Sequence, residues 1–119
     1  MNYFELEVWK RCRCLVKDVY TLSRAFPREE SFGLTAQLRR CVVSVPSNVA
    51  EGCGRNSAKD TLQFLYVARG SLYELETQLC LAFDLSYILE EKLNVILAEV
   101  TECKKLLNGF INYYQRLVS

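Results

Sequence analysis

Apolar residues recur at three- and four-residue intervals through almost the whole chain, in four blocks separated by short breaks. That spacing puts one apolar stripe on each of four helices and leaves no alternation that a strand needs. Two prolines and five glycines in 119 residues leave few points at which a helix must stop. The chain therefore reads as all-α, a single domain over residues 1–119. With short connections, it forms an up-down-up-down antiparallel four-helix bundle.

The first helix is expected over about residues 5–25. Val8, Trp9, Cys12, Leu15, Val16, Val19, Tyr20 and Leu22 share one face, and Lys10, Arg13, Lys17 and Thr21 the other. Phe26-Pro27 ends it, because proline disfavours helical backbone in the residue before it. The second runs over 34–51 on Leu34, Leu38, Cys41, Val42, Val45 and Val49. Pro46 lies inside it and predicts a kink, since the ring removes a donor and crowds the Val42 carbonyl. Gly52 and Gly54 read as its stop.

Ser57-Ala-Lys-Asp60 resembles a capping box and predicts the third helix over 58–85. Fifteen of the 26 residues from Asp60 to Leu85 are apolar, too many for one narrow stripe. Leu65, Ala68, Leu72, Leu75, Leu79 and Phe83 form the main stripe. Leu62, Tyr66, Tyr73 and Cys80 form a second, with Arg69 among them. A helix apolar over so wide an arc buries two sides, the second against a neighbouring helix or another subunit; the second stripe is expected to be partly an oligomer face. The fourth helix is expected over 89–117, with Leu93, Ile96, Leu97, Val100, Cys103, Leu107, Phe110, Ile111 and Tyr114 as its apolar face.

Composition narrows the function classes. There is no histidine, which removes Ser-His and Cys-His nucleophile pairs and the H-E-x-x-H zinc motif. No catalytic residue, metal or cofactor is expected. A net charge of +1 gives no global attraction to nucleic acid or to membranes, though local basic clusters at Lys10-Arg11-Arg13, Arg39-Arg40, Arg55 with Lys59, and Lys104-Lys105 remain. The N-terminal residues carry no signal-peptide pattern and no run is long enough for a membrane span, so a cytoplasmic location is expected. Six cysteines with no C-x-x-C pair read as small core residues in a reducing compartment. Cys12 and Cys14 point about 200° apart on a helix, so they do not form a metal pair.

Three site readings compete. Gly52-Cys53-Gly54-Arg55 lies between helices, with neither the strand nor the spacing of a phosphate loop, and reads as a turn. Glu99 and Glu102 lack the Glu-x-x-His partners of a di-metal bundle. The third is a polar row on the second helix: Gln37, Arg40, Ser44, Asn48 and Glu51, each three or four residues from the next. It is either a hydrogen-bonded seam near Pro46 or a partner surface joined by Arg55 and Arg69.

The stretch from Phe32 to Leu79, FGLTAQLRRCVVSVPSNVAEGCGRNSAKDTLQFLYVARGSLYELETQL, resembles the bacterial 23S rRNA intervening-sequence proteins. Leu34, Gln37, Leu38, Arg40, Ser44, Val45, Asn48, Val49, Ala50, Glu51, Gly52, Gly54 and Arg55 carry the first part of the pattern. Phe64, Leu65, Ala68, Gly70, Ser71 and Glu74 carry the second. Cys41 and Cys53 depart from it. The resemblance implies a left-turning four-helix bundle that assembles into a pentameric homo-oligomer, and no known reaction. The expected function is a non-enzymatic, oligomeric interaction protein associated with RNA, DNA or a ribonucleoprotein. Arg40, Arg55 and Arg69 would make the contacts, and Gln37, Ser44, Asn48 and Glu51 would support them. The alternatives are a scaffold for a protein partner, or a small-ligand bundle whose polar pocket lies on the second helix.

Overall fold

The computed structural model describes residues 2–118; positions 1 and 119, the two ends of the expected domain, lie outside the described residues. Four long helices follow one another: α1 (Glu7–Ser23), α2 (Leu34–Cys53), α3 (Ala58–Asp84) and α4 (Glu90–Val118). A 3-10 turn at Tyr3–Glu5 precedes α1 and another at Arg28–Glu30 lies between α1 and α2. The fold is the all-α four-helix bundle that the periodicity predicts.

Cross-helix pairs show the antiparallel order directly. Ser44 of α2 meets Ser71 of α3, and eight residues further along α2 Gly52 meets Thr61. Arg69 reaches Asn108 of α4, and Glu76, further along α3, reaches Lys104. In each case one number rises as its partner's falls. The stripes meet in one core: Leu15, Leu38, Leu65, Leu72, Leu75 and Leu107 are each at most 1% exposed. Burying a leucine side chain contributes about 1.5–3 kcal/mol, so this seam supplies much of the drive for α1 to α4 to assemble.

Side chains cap the starts of two of the helices. Ser57 caps α3, its Oγ accepting from the Asp60 N–H at 3.1 Å. At the start of α2 no residue at the cap position supplies a side chain. Instead Glu30 reaches forward, and its Oε1 accepts from the Leu34 N–H at 3.0 Å. The first helix is shorter than its expected span at both ends, although its apolar stripe lies within it: Tyr3–Glu5 winds as a 3-10 turn, and Phe26, beyond the helix end, is buried beside Tyr87, with ring centroids 5.6 Å apart.

Pro46 sits inside α2, which runs through it to Cys53, as the sequence places it; one reading of this helix is revised. Gly52 is not the stop. It is buried within the helix, and a Cβ there would lie 3.1 Å from the Phe64 Cβ and 3.2 Å from the Thr61 carbonyl oxygen. Its missing side chain lets α2 and α3 approach closely. Gly54 takes the capping position at φ −86°, a backbone that any residue adopts.

Candidate partner-binding groove

The polar row of α2 opens onto a cleft shared with α3. Gln37, Arg40, Cys41 and Ser44 line one wall, Ser71 and Glu74 the other, and the cleft holds about 380 Å³. Its floor is a hydrogen-bonded tie between the helices. The Ser44 and Ser71 hydroxyls lie 2.6 Å apart, and the Cys41 thiol donates to the Ser71 carbonyl at 3.1 Å. Asn48 closes one end, donating through Nδ2 to the Ser44 carbonyl at 2.8 Å and lying 3.4 Å from the Ser44 hydroxyl. Ser44, Asn48 and Cys41 are thereby committed to holding α2 against α3, as buried polar groups usually are.

The rim differs. Gln37, Arg40 and Glu74 are exposed. Among the described residues Arg40 forms no ion pair, although Glu74 stands across the cleft. Glu74 Oε1 accepts from Gln78 Nε2 at 3.2 Å. Burial, with the Glu74 charge adding to it, pushes the Cys41 thiol up to about 12. Cys41 therefore stays protonated and serves as a donor, not as a nucleophile.

The other expected contact residues are dispersed. Arg55 is exposed beyond the α2 end, its guanidinium 5.2 Å from the Phe64 ring centroid. Arg69 faces α4: it donates to Asn108 Oδ1 at 3.4 Å and lies 5.2 Å from the Tyr66 ring centroid. Glu51 is exposed on the last turn of α2. Arg40, Arg55 and Arg69 therefore do not share a cleft. The expected oligomer face is also thinned. Leu62, at 5% exposure, belongs to the chain's own core. Tyr73 is 53% exposed, and Tyr66 and Cys80 are half-buried. Lys104 of α4 covers one side of the Tyr73 ring at 4.5 Å from its centroid, and pairs with Glu76 at 2.9 Å.

Ser71 and Glu74 complete the site from α3, with Gln78 bonded to Glu74, and were not foreseen as part of it. The three recur at three- and four-residue intervals along α3, a polar row that answers the one on α2. The signal was present; the register that sets one row against the other was not. Among the described residues no three His, Cys, Asp or Glu side chains are grouped to hold a metal ion. No helix there is long and apolar enough to cross a membrane.

Bundle and groove together define a small helical protein whose polar surface is built across two antiparallel helices. The sequence profile of the 23S rRNA-intervening sequence protein family matches residues 4–109, and the chain belongs to that family. Among solved structures it is similar to a protein of unknown function from the S23 ribosomal protein family of Bacteroides thetaiotaomicron. The two share 25% identity and superpose with a TM-score of 0.81, over 87% of this chain and 97% of that one. No curated protein matches the sequence.

Proposed function

We propose that the protein acts by association and not by catalysis: a self-associating bundle of the bacterial cytoplasm whose α2–α3 groove receives RNA or a ribonucleoprotein. The observation that carries this is the rim of the groove. The fold consumes the hydroxyls of Ser44 and Ser71 and the amide of Asn48, yet leaves Arg40 exposed and without an ion pair, beside an exposed Gln37. A guanidinium and an amide side by side can serve phosphate and base edges, respectively. The family's name supports an RNA connection. Six free cysteines fit a reducing compartment.

Self-association rests on α3. Val67, Tyr73 and Leu81 are 53%, 53% and 46% exposed, and Gly70 among them has nothing within 4 Å of where a Cβ would stand. A pentamer is part of this reading. Light scattering should give a mass of five chains of 13.8 kDa each; a monomer at micromolar concentration overturns it.

The groove is tested with labelled mixed-sequence RNA at low and moderate salt. Binding should weaken steeply with salt and fall several-fold in Arg40→Gln. No RNA binding at low salt refutes the RNA reading. A small molecule that copurifies and is displaced by the same substitution would instead identify a ligand pocket.

A further inference from the structure

A second cleft, of about 430 Å³, lies where the end of α1, the 3-10 turn at Arg28–Glu30 and the start of α2 meet. Three arginines line it, Arg24, Arg28 and Arg39, together with the hydroxyl residues Ser23, Ser31 and Thr35. No carboxylate lines it. Glu30, in the adjoining 3-10 turn, is turned to the Leu34 N–H and the Tyr87 hydroxyl. None of the three arginines forms an ion pair among the described residues.

The cleft is organised. Arg39 is half-buried and held at three points. Its Nε donates to the Ser23 hydroxyl at 2.9 Å, its Nη2 to the Tyr20 carbonyl at 3.4 Å, and its guanidinium lies 4.6 Å from the Tyr20 ring centroid. Ser23 is 2% exposed and fixed by its own bond to the Tyr20 carbonyl at 3.3 Å. Thr35 is 8% exposed, and its hydroxyl has no hydrogen-bond partner. A buried hydroxyl left unpaired is destabilising, and a bound acceptor would offset that cost.

We propose that this corner is a phosphate-binding site, with Arg39 as the fixed donor, Arg24 and Arg28 closing over the anion, and the Thr35 hydroxyl as a donor from the floor. Guanidinium groups suit phosphate because their paired N–H donors match two of its oxygens. The site is separate from the α2–α3 groove. The phosphate belongs either to an RNA backbone or to a free phosphate or phosphomonoester.

The intact protein is titrated with inorganic phosphate at constant ionic strength against chloride, followed by calorimetry and thermal melting. Phosphate should raise the melting temperature where chloride does not. Arg24→Gln with Arg28→Gln alters only exposed side chains, so melting in chloride should hold while phosphate binds about tenfold more weakly. Thr35→Val should melt at the same or a higher temperature in chloride yet respond less to phosphate, a pair of signs that a purely structural threonine would not give. The source is read with a fluorescent single-stranded oligoribonucleotide. If the RNA backbone is the ligand, losing two arginine contacts lowers the slope of log affinity against log salt by about 1.4. A phosphate response with unchanged oligonucleotide binding assigns a free phosphate instead. If phosphate leaves the melting temperature unchanged and the double variant leaves the salt slope unchanged, the proposal is overturned. Because Arg40→Gln probes only the groove and the double variant only the corner, either can fail alone.

Discussion

The Thr61 hydroxyl oxygen lies 2.8 Å from the Gly52 carbonyl oxygen, across a close approach of α2 and α3. Its proton also has the Ser57 carbonyl within reach at 3.1 Å. The contact works because Gly52 has no Cβ; an added methyl would meet backbone, which cannot rotate away. Gly52→Ala should therefore destabilise the bundle by about 1–3 kcal/mol, the usual cost of overpacking. The check is the urea midpoint. An unchanged midpoint would mean that the corner relaxes freely.

That corner shows what a single sequence conceals. The helices themselves were legible, because an apolar residue every three or four positions has few other solutions, and Ser57 with Asp60 marks the start of α3. Gly52 read as a stop because glycine after an apolar stripe is the common helix ending; its packing role depends on α3 lying against it. The α2 half of the groove was legible for the same periodic reason. Its α3 half was not, since periodicity sets which residues share a face but not which face of a neighbour they meet. Arg69 is the clearest case: its place beside Tyr66 is regular, but packing turns it to Asn108 and away from Arg40.

Gly70 sits in the middle of a 27-residue helix, where glycine costs about 0.5–1 kcal/mol relative to alanine. Nothing within the chain stands where its Cβ would be. Gly70→Ala should raise the stability of an isolated chain by about that amount. If α3 packs closely against a second copy, the same methyl should weaken assembly. Melting at low concentration and light scattering at high concentration separate the two effects. A variant that melts higher and still assembles would remove Gly70 from the interface.

Glu30 joins the start of α2 to the connection after α3. Its Oε1 accepts from the Leu34 N–H at 3.0 Å and its Oε2 from the Tyr87 hydroxyl at 2.8 Å. The Leu34 N–H, and then the Tyr87 hydroxyl, hold its carboxyl below the ordinary carboxylate value. A lowered folded value means that the unfolded chain binds the proton more readily. The stabilisation is present above the unfolded pKa and lost as pH falls through the folded one. Glu30→Gln should melt lower than wild type near neutral pH, and the gap should close in acid. Tyr87→Phe, which spares the Leu34 cap, should lose only part of it. A gap independent of pH would show that the charge plays no role.

Glu99 behaves in the opposite sense. It lies half-buried in α4 beside Asp18 of α1, and burial first, then Asp18, raises its pKa from 4.5 to about 7, against a smaller opposing effect of Arg11. With both carboxylates ionised neither can donate, and Glu99 Oε2 is buried without a partner. A proton on Glu99 supplies the missing donor toward Asp18. Because the folded value is the higher one, the folded chain binds the proton more tightly. The stabilisation is full below 4.5 and is lost as pH rises through about 7. Glu99→Gln keeps the shape and removes the ionisation. It should therefore stabilise the protein above neutrality by up to about 1 kcal/mol, discounted for solvent screening of a half-exposed group, and make little difference in mild acid. Asp18→Asn should flatten the same slope by removing the neighbouring charge. Urea denaturation across this pH range gives the answer: a wild-type stability that does not fall from mildly acidic to mildly alkaline pH, or a Glu99→Gln curve parallel to it, would show that the pair does not share a proton.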